Sequence, residues 1–169
     1  MKRRALFAVS VLTATLLGAC ATPASGPSAS AQLAARSGST VSGNLTFTER
    51  GGSLRIDGQL AGLTPGEHGF HIHEVGDCSA PDATTAKGHY NPAGQQHGRR
   101  DSEMHHGGDM PNLTANAQGE AHLAAEIKGL TLNEILGRSV VVHADPDDYK
   151  SQPAGNSGKR VACGVIVAG

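Results

Sequence analysis

The amino-acid sequence predicts an all-β fold, a sandwich or barrel of short antiparallel strands. Three observations carry that expectation. From about Ser39 onward, apolar residues recur with a period of two rather than 3.6. Glycine and proline, 23 and 8 of the 169 residues, punctuate the intervals between apolar runs. No long segment carries the stripe of an amphipathic helix.

The elements follow in order. Val41, Leu45 and Phe47 alternate with Thr40, Ser42, Asn44, Thr46 and Thr48, the pattern of a strand with one wet face. The turn signal ERGG (49–52) leads into a second run, where Leu54, Ile56 and Leu60 repeat the alternation. Further candidate strands are HGFHIHEV (68–75), GEAHLAAEI (119–127), RSVVVHAD (138–145) and VACGVIVAG (161–169). The chain has no Trp and three Phe, so its core must come from Val, Leu, Ile and Ala. Such a modest core gives a disulfide or a structural metal more weight. The intervals 76–113 and 144–159 are too long for hairpin loops and collect the remaining polar chemistry.

The N-terminus reads as a targeting segment. A basic MKRR, the apolar ALFAVSVLTATLLGA and small residues before a cut describe a secretory signal over 1–19. LGAC, ending at Cys20, resembles the lipobox of bacterial lipoproteins, which implies lipidation of Cys20; plain secretion with cleavage near ATPA is the alternative. Residues 20–38, rich in Ala, Ser, Pro and Gly, read as a flexible tether, and 39–169 as the folded domain. The expected location is the cell envelope, with the lipid on Cys20 holding the domain to a membrane at its periplasmic or extracytoplasmic face. Loss of Lys2, Arg3 and Arg4 with the signal leaves 11 basic against 15 acidic residues, a net charge of −4. That balance argues against a nucleic-acid partner.

Of three cysteines, lipidation takes one and leaves Cys78 and Cys163. In an oxidising compartment such a pair reads as a disulfide, with thiolate metal ligands as the alternative. The nine histidines are grouped rather than scattered. In a strand, His71 and His73 share a face with Cα atoms about 6.6 Å apart, within joint reach of one ion; a half-buried strand with two polar residues on its wet face is the alternative. After them come His89, His97, the pair His105 and His106, then Asp109, and His143 after a late strand. These exceed the usual four ligands of a single ion, so the spacing suggests two neighbouring sites, with imidazole-rich sets suited to copper or zinc.

GFHIHE, GHYNP, HGGD, VVVHAD and GKRVACGVIV, in that order, resemble the successive motifs of copper/zinc superoxide dismutases from about residue 40 to the end. The resemblance implies a Greek-key, immunoglobulin-like β-sandwich or flattened barrel of about eight antiparallel strands with two long functional loops. It implies copper on His71, His73, His89 and His143, and zinc on His89, His97, His106 and Asp109, with His89 bridging the two. It also implies that Cys78 and Cys163 form a disulfide, that Arg160 guides the superoxide anion, and that Asp147 links ligands of the two metals. Catalytic roles thus fall on Arg160 and His89. Spacing prefers His106 over His105, since H-x-G-D fits His106 to Asp109, while the resemblance implies Asp147 with Asp145 and Asp148 as the alternatives. His68 reads as a packed histidine bonded to nearby backbone, and His122 as a surface residue.

The implied activity is dismutation of superoxide to oxygen and hydrogen peroxide. The alternative is a dismutase-like metal-binding or delivery protein without turnover, which would be expected to lose a ligand, the bridge or the arginine. Lys150 and Lys159 are candidate steering charges beside ordinary surface lysines. A homodimer is an expected partner arrangement, a monomer the alternative.

Overall fold

The structure, a computed structural model, describes residues 26–169. The expected signal segment 1–19 and Cys20 lie outside the described residues. The strands are β1 (Ser28–Ala35), β2 (Ser42–Arg50), β3 (Ser53–Ala61), β4 (Gly66–His68), β5 (Phe70–His73), β6 (Leu113–Ala115) and β7 (Ala121–Lys128). After a one-turn helix α1 (Leu132–Ile135) come β8 (Ser139–His143), β9 (Arg160–Val165) and β10 (Val167–Ala168).

The main sheet runs β5–β8–β9–β1–β2–β3–β7, with β10 on β1, and every pairing is antiparallel. β4 leads into β5 through Gly69 alone, β6 leads through a short turn to β7, and β4 pairs with β6. The two ends of the sheet are thus joined, giving the flattened barrel that the sequence predicts. The chain crosses from β3, beside β7, to β5, beside β8, and returns from β7 to β8, a Greek-key path. The β2–β3 turn places Gly51 and Gly52 at φ 56° and 81°, the two successive positive values that a tight hairpin requires.

One boundary is corrected. The tether expected over 20–38 gives way to β1 at Ser28, and β1 is a central strand. Ala29 to Leu33 pair with β2, while Ala34 and Ala35 pair with β9, so β1 joins the two halves of the sheet. Its buried residues Ala29, Ala31 and Leu33 alternate with exposed Ser30 and Gln32. The period of two was present, but small residues carried it, and Ala-Ser composition reads as linker.

The barrel interior is filled by Leu33, Leu45, Phe47, Leu54, Ile56, Phe70, Ile72, Val140 and Val142, from inward positions of β1, β2, β3, β5 and β8, with Ile166 from the link between β9 and β10. On the other face of β8, Val141 packs with Cys163, Ala83 and Ala86 under the first long loop. Every residue of β5 and β8 is therefore buried, because the two long loops cover the outer face of these strands.

Candidate metal centre

β5 sets the site. Its HxH alternation puts His71 and His73 on the outer face, at 0% and 1% exposure. The wet-face alternative for these two histidines is thereby excluded. His143 ends the neighbouring strand β8, which pairs with β5 in register Phe70↔Val142 and His71↔Val141. The free edge of β5 recruits the first long loop by backbone hydrogen bonds. Tyr90 N–H donates to Ile72 C=O and Ile72 N–H to Gly108 C=O, both at 2.9 Å, and Glu74 N–H donates to Gly88 C=O at 2.9 Å. These contacts bring His89 opposite His73 and Asp109 opposite His71. Gly108 is required here, since a Cβ would collide with the Ile72 carbonyl oxygen.

Two groups of donor atoms result, each with its atoms within 4.8 Å of one another: His71, His73, His89 and His143, and His89, His97, His106 and Asp109. His89 belongs to both. In the second group Asp109 Oδ1 lies 2.8 Å from His89 Nδ1, 3.0 Å from His97 Nδ1 and 3.4 Å from His106 Nδ1. Asp109 Oδ2 is committed elsewhere, accepting from His106 N–H at 2.7 Å and Gly98 N–H at 3.1 Å. Burial alone would raise the Asp109 carboxyl, but the hydrogen bonds from His89, His97 and these backbone groups hold it well below the usual carboxylate range.

The first group is different in kind. Among the described residues, the buried side-chain nitrogens or oxygens without a hydrogen-bond partner are His71 Nδ1, His73 Nε2, His89 Nε2 and His143 Nε2. All four belong to one group. Burying unpaired polar nitrogens is costly, and a cluster of imidazole lone pairs fits a soft or borderline transition metal. Each opposite nitrogen of the other three rings is held. His71 Nε2–H donates to Asp147 Oδ2 at 2.8 Å, His73 Nδ1–H to Lys87 C=O at 2.9 Å, and His143 Nδ1–H to Gly158 C=O at 3.4 Å. Such outer partners fix tautomer and ring orientation. The rings of His71 and His89 stack with centroids 3.9 Å apart. Burial pushes the His73 and His143 imidazoles well below their ordinary value, and that of His71 to about 4, so all three are neutral and able to ligate.

Asp147 connects the groups: its Oδ1 accepts from His97 Nε2–H at 2.9 Å while Oδ2 accepts from His71. Asp145 and Asp148 do not reach either group; Asp148 accepts from Ser151 instead. His105 lies outside both sets, its Nδ1–H donating to the His106 carbonyl at 2.7 Å. His68 is buried, with Nδ1 2.8 Å from the His143 carbonyl and Nε2 2.8 Å from that of Thr64, and His122 is exposed on β7.

Arg160 opens β9 opposite His143, next to an irregularity in the β8–β9 register. Its Nη1 donates to Ala83 C=O and its Nη2 to Lys87 C=O, both at 2.7 Å. Cys78 and Cys163 are joined in a disulfide that ties this loop to β9. Lys150 and Lys159 are exposed, and among the described residues neither takes part in an ion pair.

Sequence reasoning missed three supports. Gln152 clamps the His97 backbone, Oε1 accepting from its N–H at 2.8 Å and Nε2 donating to its C=O at 2.9 Å. Asn112 does the same for Asp147, at 3.0 Å and 3.1 Å. The third is the Lys87 carbonyl, shared by His73 and Arg160. None stands in a recognisable motif, and a backbone carbonyl leaves no trace in residue type.

Comparison with known proteins agrees with this geometry. Residues 41–166 match the family model described as copper/zinc superoxide dismutase (SODC). The chain is 42% identical over 146 residues to "Superoxide dismutase [Cu-Zn]" of Onchocerca volvulus, covering 78% of this chain and 92% of that protein. A crystal structure of the clock protein EA4 superposes with a TM-score of 0.77 at 35% identity, covering 85% of this chain and 95% of that one. With two histidine-rich groups sharing one residue, and a family match over most of its length, this chain belongs to the copper/zinc superoxide dismutases.

Proposed function

We propose that His71, His73, His89 and His143 hold the copper and that His89, His97, His106 and Asp109 hold the zinc of a superoxide dismutase acting in the cell envelope. Family membership gives the reaction: two superoxide anions and two protons yield one oxygen and one hydrogen peroxide. The observation that carries the ligand assignment is the set of four partnerless buried nitrogens, one from each histidine of the first group. The second group, with a carboxylate oxygen facing three Nδ1 atoms, has the mixed donors that suit zinc.

Copper, once bound, supplies the one-electron redox cycle that zinc cannot. The chain does the rest. His89 faces the first group with Nε2 and the second with Nδ1, so Nε2 is the atom able to take a proton in one half-reaction and return it towards peroxide in the other. Arg160, fixed by two carbonyls, presents a permanent planar charge that orients a small anion. Superoxide dismutases are themselves a known case of electrostatic steering of substrate. A delivery protein without turnover would have no use for a braced arginine or a shared imidazole, and both are present.

The envelope location and the lipid on Cys20 are supported by MKRR, the short apolar run and LGAC. No helix of the described residues is long and apolar enough to cross a membrane. β1 starts at Ser28, which leaves residues 21–27 between the proposed anchor and the first strand. The mass of the metal-loaded protein in solution distinguishes a homodimer from a monomer. Superoxide decay followed by pulse radiolysis, on apo protein and on protein loaded with copper and zinc, tests the central reading. Copper-dependent decay supports it. Bound copper without catalysis would leave the metal-carrier reading in its place.

A further inference from the structure

The short 3₁₀ turn Thr84–Ala86 is bracketed by two residues in unusual backbone conformations. Ala83 lies at φ 57°, ψ 20°, and Lys87 at φ 65°, ψ −148°. The second is a region that glycine enters freely and that other residues enter only with strain. These same two residues present the carbonyls that Arg160 binds, and the Lys87 carbonyl also receives His73 Nδ1–H. The twist at each end of the turn is therefore what aims both oxygens at Arg160.

Glycine would meet this need at Lys87 without strain. Lysine does not lower the cost through packing, because its side chain is exposed, and among the described residues it takes part in no ion pair. Its backbone is in direct contact with the guanidinium, so its four-carbon stem keeps the ammonium within roughly a Debye length of Arg160, about 10 Å at 0.1 M salt. Asp82, just before this turn, accepts from Thr84 N–H at 3.1 Å and Thr84 Oγ1–H at 2.8 Å, and its negative charge acts on Arg160.

We propose that Lys87 is a positioning and steering residue of the dismutase: its strained backbone orients His73 and Arg160, and its free ammonium adds attraction for the superoxide anion at the mouth of the four-histidine site. This rests on the copper assignment proposed above. It makes the first long loop, rather than Lys150 or Lys159 of the second, the source of the auxiliary charge. The backbone role belongs to the position, the steering role to the side chain, and substitutions separate them.

The test uses the full domain, loaded with copper and zinc, in wild-type form and as K87Q, K87R and K87G, with K128Q as a control for net charge alone. The second-order rate constant for superoxide is measured across ionic strength, and azide affinity is measured from the copper absorption band. K87Q is expected to lower the low-salt rate constant about twofold, with the loss vanishing at high salt, while K87R restores it and K128Q leaves it unchanged. Azide dissociation constants are expected to rise by the same factor in K87Q. K87G is expected to show the same kinetic loss together with a higher urea midpoint, because glycine relieves the strain. Equal rates and equal azide affinities for K87Q and wild type would overturn the proposal, as would a loss in K87Q that persists unchanged at high salt. If wild type binds copper without turnover, the functional reading fails on its own, and azide affinity still decides the role of Lys87.

Discussion

Asp147 Oδ2 accepts a hydrogen bond from His71 Nε2–H at 2.8 Å, and through it the second long loop reaches a strand 76 residues earlier. The other oxygen of Asp147 holds His97, and Asn112 fixes its backbone, so one carboxylate sets ring orientation in both histidine groups. Asp147→Asn keeps the shape but turns one acceptor into a donor facing an N–H. Affinity for both metals is expected to fall about 10–100-fold, read by chelator competition. A variant that loses affinity for one metal alone would contradict the shared support.

The adjacent histidines should separate cleanly. His106 Nδ1 faces Asp109, and His105 bonds only the neighbouring carbonyl. His106→Ala is expected to weaken zinc by more than about 100-fold, since losing a ligand exceeds losing an outer partner. His105→Ala should leave zinc affinity unchanged. The reverse ranking would mean the pair had been assigned to the wrong residue.

The metal-free protein should be most stable near neutral pH. Burial lowers His71 to about 4, and His73 and His143 well below their ordinary value, so these rings bind fewer protons folded than unfolded. Their contribution is full above the unfolded value near 6.5 and is lost as pH falls towards 4. His97 behaves oppositely. Burial would lower it, but the hydrogen bonds to Asp109 and Asp147 prevail and raise it to about 9. That contribution is full below about 6.5 and is lost as pH rises through about 9. Urea midpoints at pH 5, 6.5 and 9 check this. A steady rise from 6.5 to 9 would show that His97 is not held as an imidazolium between the two carboxylates.

Residues that announce chemistry by type and spacing were legible in the sequence. His71, His73, His89, His97, His106, His143 and Asp109 come together in two groups, with Asp147, Arg160 and the cysteine pair beside them, because strand alternation and motif order constrain them directly. Gln152, Asn112 and Lys87 were not legible. They act through backbone groups or reach the site from distant loop positions, so only the fold reveals them. β1 was missed for another reason: its buried face is Ala29, Ala31 and Leu33, and alanine contributes little apolar signal.

Gly108 offers a test of how the first long loop is docked. Its N–H donates to Tyr90 C=O at 2.8 Å and its carbonyl accepts from Ile72, leaving no room for a Cβ against the Ile72 oxygen. Gly108→Ala must push the loop off the β5 edge, at a cost of about 1–3 kcal/mol. Zinc affinity should fall with it, because His106 and Asp109 flank the displaced residue. Unchanged stability and unchanged zinc binding would show that the loop is held by its ligands alone.

The correction to the N-terminal boundary makes the sharpest stability prediction. Leu33 is 2% exposed and lies where β1 passes from its pairing with β2 to its pairing with β9. Leu33→Ala is expected to destabilise the domain by about 2–5 kcal/mol. Gln32→Ala, on the exposed face of the same strand, should stay within about 0.5 kcal/mol of wild type. The Cys78–Cys163 disulfide does not substitute for β1: closing an 85-residue separation stabilises by about 4.5 kcal/mol in the chain-entropy model, but it restrains the unfolded chain and pairs no strand. A chain beginning at residue 36 therefore leaves the edges of β2 and β9 open and should lose cooperative urea unfolding even with the disulfide intact. Cooperative unfolding of that truncated chain, with Leu33→Ala equal to wild type, would return residues 28–35 to the tether.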